Sequence, residues 1–269
     1  MSERTPVTVE VTVADVAGLE VAARAGAHRI ELCTAPERGG ASADAELVAA
    51  ARHRLDALLT EQRARPGLEL HALIRVGATA EVDPTDPAPF RYEGPAVSEM
   101  AAQAAAAVHA GAHGVVIGAL NDHGGLDVPA LESIRDAALQ AGQEELRGVG
   151  LTAHRAVDAR PDRDARAAAV QQLLGLGFHR VLSSGGALRA LDGAADLAAM
   201  VEASEELIEI CAGAGVRPAH LAELVRATGV PAVHLSARRA AASPRETGAP
   251  DIATDPAIVA AAVDAAGAL

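Results

Sequence analysis

The 269-residue sequence predicts a (β/α)8 TIM-type barrel, and two observations lead to that prediction. First, one pattern recurs: a helical stretch ends at a glycine and a short apolar strand follows at once. Second, further apolar segments of strand length lie between these copies, separated by Ala-rich helical stretches. A glycine after a helix supplies the left-handed cap, and short apolar strands that alternate with helices are typical of a buried parallel sheet. The copies of the pattern span residues 25–32, 110–117, 176–182 and 228–235.

Together these segments predict eight strands. The further strand candidates are 7–13, 68–74, 149–152 and 207–212. Helices are expected, for example, at 98–110, 164–174 and 256–266. In the last of these, Asp255 is the expected cap and Pro256 occupies the first helical position. A doubly wound open sheet is the alternative, because one sequence does not fix the number of strands.

The whole chain, 1–269, is predicted to be a single barrel domain, because no linker divides it. Two segments are predicted to be long loops. Residues 76–95 contain four prolines, and residues 237–255 are rich in Arg, Ser, Pro and Gly. Both would follow barrel strands, the third and the eighth. Loops in that position form the face on which barrel active sites lie.

Composition excludes several classes of function. Lys and Arg number 23 and Asp and Glu number 36, so the net charge is −13, and such a surface repels nucleic-acid phosphates. Aromatic residues make up only 1% of the chain, so base-stacking platforms are not expected. No apolar run is long enough for a membrane span, and the start lacks the pattern of a secretory signal. We therefore expect an acidic cytoplasmic protein that contacts neither nucleic acid nor membrane.

Alternation along the strands places ionisable side chains inside the barrel. The valines of the first strand share one face, which suits packing against helices, and Glu10 lies on the other. A barrel built only for stability would have Val, Ile or Leu inside, because an unpaired buried charge costs several kcal/mol. A polar pocket is one interpretation, and a set of ion pairs near the barrel bottom is the other. The residues predicted to point inward are Glu10, Arg29, Glu31, Cys33, His71, Arg75, His154, His234 and Ser236.

A polar pocket of this composition suits acid–base chemistry. Glu31 is the first candidate for the base, His154 for the partner acid and Arg75 for the anion clamp, although these roles could be exchanged. Arg155 would add a second cation for an anionic or hydroxylated small molecule.

Gly-rich turns offer a further anion site. Gly213 and Gly215 follow the seventh strand, where barrels often hold phosphate through backbone N–H groups, and Ser236 could add a hydroxyl. A tight turn without a ligand is the alternative. The turn at 183–186, which follows the sixth strand, has the same two interpretations: an anion site or a tight turn without a ligand.

Several ordered motifs resemble those of the CutC family. The resemblance runs from Glu10 to about residue 244 and implies a cytoplasmic TIM-type barrel that assembles as a homo-oligomer, a dimer or a tetramer. It also implies a link to copper homeostasis. The family's inward positions fall on Glu10, Glu31, Cys33, Arg75, His154, Arg155 and Asp158. The motifs are Arg-Ile-Glu-Leu-Cys at 29–33 with Pro-Glu-Arg-Gly-Gly at 36–40, residues 71–75, 118–127, 154–158, 180–185 and 212–216.

Copper is the cofactor that the resemblance implies, as Cu(I) held by one cysteine on each of the first two strands. The strand-one position is Thr12 here, so only Cys33 remains. Cu(I) prefers sulfur ligands, and the substitution therefore counts against a tight site. Cys211, on the seventh strand, is expected to pack against the helices instead.

Three hypotheses about function follow. One is a copper-binding protein centred on Cys33. The second is an enzyme of lyase, isomerase or hydrolase type, acting by acid–base chemistry on a sugar-like or phosphorylated substrate. The third is a binding protein or scaffold without catalysis, since fold alone does not determine function.

Overall fold

Eight parallel strands close into a barrel in which each strand pairs with the next along the chain, and the eighth pairs with the first. This arrangement, seen in a computed structural model, confirms the predicted TIM-type barrel and excludes the doubly wound sheet. The structure describes residues 6–77, 83–238 and 253–269, and at Glu37 the backbone only.

Strands and helices alternate throughout the described chain. The strands are β1 (Thr8–Val13), β2 (Arg29–Leu32), β3 (Glu69–Leu73), β4 (Gly114–Ile117), β5 (Gly150–Ala153), β6 (Arg180–Ser183), β7 (Glu209–Ala212) and β8 (Ala232–Ser236). The helices are α1 (Val16–Arg24), α2 (Ala45–Thr60), α3 (Gly94–His109), α4 (Val128–Glu144), α5 (Arg163–Gly175), α6 (Ala194–Ser204), α7 (Pro218–Thr228) and α8 (Pro256–Gly267). Short 3-10 helices span Pro36–Arg38, Ala88–Phe90 and Arg155–Ala159.

The repeated glycines act as predicted. Gly26, Gly111, Gly177 and Gly229 have φ values of 89°, 103°, 78° and 72°. Each therefore adopts the left-handed conformation that turns the chain from a helix into the next strand, which residues with a Cβ rarely adopt. At the last helix, the Asp255 side chain accepts a hydrogen bond from the Ala257 N–H, so the predicted cap is confirmed.

Three histidines fasten strands together at the N-terminal end of the barrel. His28, His113 and His179 each directly precede or adjoin a strand, and each Nδ1 accepts a hydrogen bond from a backbone N–H of the strand before it. Burial lowers the pKa of His113 to about 4, which keeps its ring neutral and able to accept. These histidines are structural. The donors are Val9 at 3.2 Å, Leu70 at 2.9 Å and Leu151 at 3.0 Å.

The two predicted loops are described in part. In 76–95 the described residues include the 3-10 helix Ala88–Phe90, whose Phe90 side chain is buried, and α3 begins at Gly94. Residues 78–82 of the first loop and 239–252 of the second lie outside the described residues. Within the part of the chain that is described, no helix has the length and apolarity of a membrane span.

An ion-pair network fills the lower barrel. Arg29 donates from Nε to Glu10 and from Nη2 to Glu209, the latter at 2.6 Å. Arg180 Nε donates to the same Glu209 oxygen at 2.9 Å. The Arg29 side chain is only 4% exposed. This part of the barrel therefore matches the ion-pair interpretation of the inward charges, and Arg29 is its centre.

Replacing Arg29 should unfold the barrel more easily. In Arg29→Met the buried carboxylate of Glu10 and the partly exposed carboxylate of Glu209 lose their shared partner, and removing one member of a buried ion pair costs about 3–5 kcal/mol. Urea unfolding at pH 7 measures this loss. Arg24→Met, which removes an exposed ion pair with Glu20, is the matched control and should change little. Equal stability of the two variants would contradict the role of Arg29.

Candidate functional site

A cavity of about 660 Å³ opens at the C-terminal end of the barrel. Its wall combines ends of strands with the loops that follow them. Most of the predicted site residues meet there, but Glu10, Asp158 and Gly213 do not line it. The predicted residues in the wall are Glu31, Cys33, Arg75, His154, Arg155, Gly215 and Ser236.

Glu10 lies beneath the cavity as an anchored carboxylate. It is 1% exposed, and its two oxygens are taken by Arg29 and by His234, whose Nδ1 lies 2.6 Å from Oε1. Burial alone would raise the pKa of Glu10, but Arg29 and His234 lower it well below its usual range. Glu10 therefore stays ionised and holds its neighbours in place.

His234 is a candidate site residue that the sequence placed inward but did not single out among the histidines. Burial lowers the pKa of its ring, but the hydrogen bond to Glu10 and the charges of Glu31 and Glu10 raise it overall. The side chain lines the cavity and is 13% exposed. The strand register produces this contact, since His234 pairs with Glu10 across β1 and β8. A carboxylate that fixes one ring nitrogen orients the imidazole toward the cavity.

Glu31 has a buried carboxyl oxygen that no described residue contacts by a hydrogen bond. It is 5% exposed, lines the cavity, and its Oε2 is buried with no hydrogen bond from any described residue. Burial raises its pKa, the charge of His234 opposes that effect, and the net value is about 7. A carboxyl group that titrates near neutral pH can both accept and return a proton, as general acid–base chemistry requires.

His154 is a neutral imidazole in a fixed position. Its Nδ1 accepts a hydrogen bond from the Ala156 N–H at 3.2 Å. Burial, and then the charge of Arg75, lowers its pKa to about 3. The ring lies 5.3 Å from the Phe90 ring and packs over Gly118, where a Cβ would come within 2.4 Å of it. Gly118 is thus required for the ring to fit.

Arg75 brings a cation to the same wall. Its Nη1 donates to the carbonyls of Gly39 at 2.9 Å and Gly40 at 3.3 Å. Its guanidinium carbon lies 5.2 Å from the centre of the Phe90 ring. The side chain is buried, and Nε meets no acceptor in the described chain. Arg75 and His154 therefore share Phe90 as a support.

Asp158 holds Arg155 rather than facing the cavity. Arg155 Nε donates to its Oδ2 at 2.9 Å. The hydroxyls of Ser183 and Ser184 donate at 2.5 Å and 2.8 Å, and backbone N–H groups of Ser184 and Gly186 add further bonds. The turn at 183–186, which the sequence offered as an anion site, is filled by this carboxylate of the protein itself.

The second Gly-rich turn borders the cavity in part. Gly215, with φ 64°, lines it, whereas a Cβ at Gly213 would come within 2.6 Å of Leu182, so that glycine permits close packing. The Ser236 hydroxyl lines the cavity too and accepts a hydrogen bond from Arg238 Nε at 2.6 Å.

The two cysteines occupy different places, and one expectation was wrong. Cys33 lines the cavity, and its Sγ lies 3.4 Å from the Thr12 Oγ1. Cys211 does not pack against the helices: it is buried inside the barrel with Leu182 and Ala232, its neighbours in register on β6 and β8. Residues that pair side by side on neighbouring parallel strands point to the same face of the sheet. Cys211 therefore points into the barrel together with Leu182 and Ala232.

Comparison with known proteins decides the family. The model of the CutC family matches residues 7–239. The chain belongs to the CutC family. A CutC family protein of Caulobacter vibrioides is 37% identical over 228 residues, covering 85% of this chain and 80% of the relative. One of Agrobacterium fabrum is 36% identical over 231 residues, covering 86% and 79%.

A solved CutC structure shows the same fold. The putative copper homeostasis protein CutC from Streptococcus agalactiae superposes with a TM-score of 0.69 at 23% identity, covering 85% of this chain and 97% of that one.

The residues of this CutC protein do not fit Cu(I). Cys33 is the cavity's sulfur donor among the described residues, because Cys211 lies below and Met100 and Met200 are buried in the outer core. Ligand atoms of Glu10, Glu31 and His234 lie within 4.8 Å of one another, but they are oxygen and nitrogen. Both Glu10 oxygens are also already bonded. Cu(I) needs softer donors than this set provides.

An anaerobic Cu(I) titration against a competing chelator tests this conclusion. We expect weak binding that is equal in the unmodified protein, in Cys33→Ser and in the control Cys211→Ser, because one thiol does not make a Cu(I) site. Tight stoichiometric binding that is lost only in Cys33→Ser would show that the cavity does hold copper.

Proposed function

We propose that this CutC protein binds a small anionic organic molecule in the barrel cavity and transforms it by acid–base chemistry, as a lyase, isomerase or hydrolase of a sugar-like or phosphorylated compound. One observation supports this above all: Glu31 Oε2, Arg75 Nε and His154 Nε2 are buried polar atoms with no hydrogen-bond partner in the described chain, and their side chains line one cavity. Buried polar groups are normally bonded, so such a concentration favours a ligand that would satisfy them.

Charge around the cavity favours an anionic ligand. Arg75 and Arg155 line it on the β3 and β5 side, and the Asp158 contacts hold the Arg155 guanidinium in one position. Guanidinium groups bind carboxylate and phosphate through paired N–H donors. The backbone at Gly215 would add N–H groups beside them.

Copper handling is the second candidate. The name of the Streptococcus agalactiae protein and the cavity position of Cys33 favour it. The donor set weakens it, since Thr12 offers a hydroxyl where a second thiol would be needed. We therefore rank it below the acid–base proposal.

Location and assembly belong to the same proposal. The family resemblance and the acidic composition support a cytoplasmic protein, and the resemblance supports a dimer or tetramer.

Thermal unfolding with a panel of phosphates, sugar phosphates and hydroxy acids tests the proposal. A true ligand at about 100 times its Kd should raise the Tm by about 5 °C, because binding stabilises the folded state. Arg155→Met should lose most of that shift, whereas Arg226→Met, an exposed arginine of α7, should keep it. No shift with any compound, or equal shifts in both variants, would refute anion binding in the cavity.

A further inference from the structure

The tautomer of His154 is set by its surroundings. Because Nδ1 accepts the Ala156 N–H, the proton of the neutral ring is on Nε2. The ring cannot swing away, since Phe90 and Gly118 enclose it. His154 is therefore a fixed, uncharged N–H donor whose hydrogen has no acceptor among the described residues.

A neutral imidazole N–H is suited to one particular task. It can donate to a carbonyl oxygen and stabilise the negative charge that develops there when a neighbouring C–H is deprotonated. Arg75 strengthens this role, because its Nε also has no acceptor in the described chain and its guanidinium packs on the same Phe90 ring. Arg75 and His154 thus place two unbonded N–H donors against one aromatic ring.

A carboxyl group lies on another side of the same cavity. Glu31 projects from β2, whereas His154 follows β5, so the two approach the cavity from different parts of the barrel wall. Glu31 Oε2 has no hydrogen-bond partner among the described residues, and ligand atoms of Glu31 and of His234, which also lines the cavity, lie within 4.8 Å of each other. A substrate between them would meet a proton acceptor on one side and N–H donors on the other.

We propose that the substrate is a small hydroxy-carbonyl compound bearing a phosphate or carboxylate, and that its reaction passes through an enolate. This deepens the proposed function and rests on it. Glu31 takes the proton from the carbon next to the carbonyl, and the electron pair of that C–H bond forms the new C=C bond. The carbonyl electrons move to oxygen, where His154 and Arg75 stabilise them, while Arg155 holds the anionic group.

The proton then returns from Glu31 either to the former carbonyl carbon or to the carbon from which it was taken. The first outcome is an isomerisation, in which the hydroxyl proton passes to the enolate oxygen and a new carbonyl forms. The second outcome is exchange with solvent. Neither oxidises nor reduces the substrate, and neither requires a co-reactant.

Deuterium exchange tests the step. The unmodified 269-residue protein in D2O is incubated with dihydroxyacetone phosphate, ribulose 5-phosphate and fructose 6-phosphate, and proton NMR follows the hydrogens next to each carbonyl. We expect catalysed loss of one such signal with at least one probe. Glu31→Gln should slow that exchange by about 100-fold or more, while the probe still raises the Tm.

Binding of an enolate mimic supplies an independent readout. Phosphoglycolohydroxamate should bind at least about 10-fold more tightly than glycerol 3-phosphate, as expected for a site that complements the enolate. The ¹⁵N–¹H signal of His154 Nε2 in the unmodified protein should shift on binding. His154→Phe, which keeps an aromatic ring beside Phe90, should remove the preference for the hydroxamate.

The results separate the two proposals. If the phosphorylated probes raise the Tm but exchange stays at the uncatalysed rate and the hydroxamate has no advantage, the enolate mechanism is overturned and anion binding stands. If no probe binds, both proposals fail. An unmoved His154 signal with tightly bound hydroxamate would also overturn the role of His154.

Discussion

The contact between Arg29 and Glu10 is the interaction on which the site depends. Closing the barrel removes the inward side chains from water, and Glu10 tolerates that only because Arg29 and His234 bond to its two oxygens. Arg29 is in turn held by Glu209. Glu10 and Arg29 are thus bonded to each other, whereas Glu31 Oε2 has no hydrogen-bond partner in the part of the chain that the structure describes. The pKa values of the two carboxyl groups therefore shift in opposite directions: that of Glu10 is lowered and that of Glu31 is raised to about 7.

The donors of the cavity are positioned by contacts that are themselves satisfied. Asp158 fills the turn after β6 and fixes Arg155, while the Ala156 N–H fixes the His154 ring. Groups held in this way need no rearrangement when charge develops on a bound molecule, which is the usual source of electrostatic stabilisation in enzymes. Both contacts lie in the segment directly after β5. One short stretch of chain therefore supplies an anion clamp and a neutral donor.

Much of the barrel could be predicted from local rules. A glycine after four of the helices and alternation along β1, β2 and β3 were sufficient for the architecture and for the inward positions of Glu31 and Arg75. The features that could not be predicted are those that only lateral pairing decides. Cys211 faces inward because Leu182 and Ala232 flank it in register, and His234 acquires its role because it pairs with Glu10. The sequence also does not show which ionisable residues are bonded to other side chains. Asp158 and Glu31 were both predicted to point inward, but only Asp158 has its carboxylate oxygens bonded by neighbouring residues.

The titration of Glu31 decides whether the cavity holds a carboxyl group that exchanges protons near neutral pH. Carbon-13 NMR of labelled glutamate side chains, compared between the unmodified protein and Glu31→Gln, identifies its carboxyl signal across the pH range. Our account predicts a midpoint of about 7, with Glu31 protonated below it and ionised above it, while Glu10 remains ionised throughout that interval. A midpoint for Glu31 near the ordinary glutamate value of about 4.3 would contradict the account, because the cavity would then contain no carboxyl group suited to exchange protons at neutral pH.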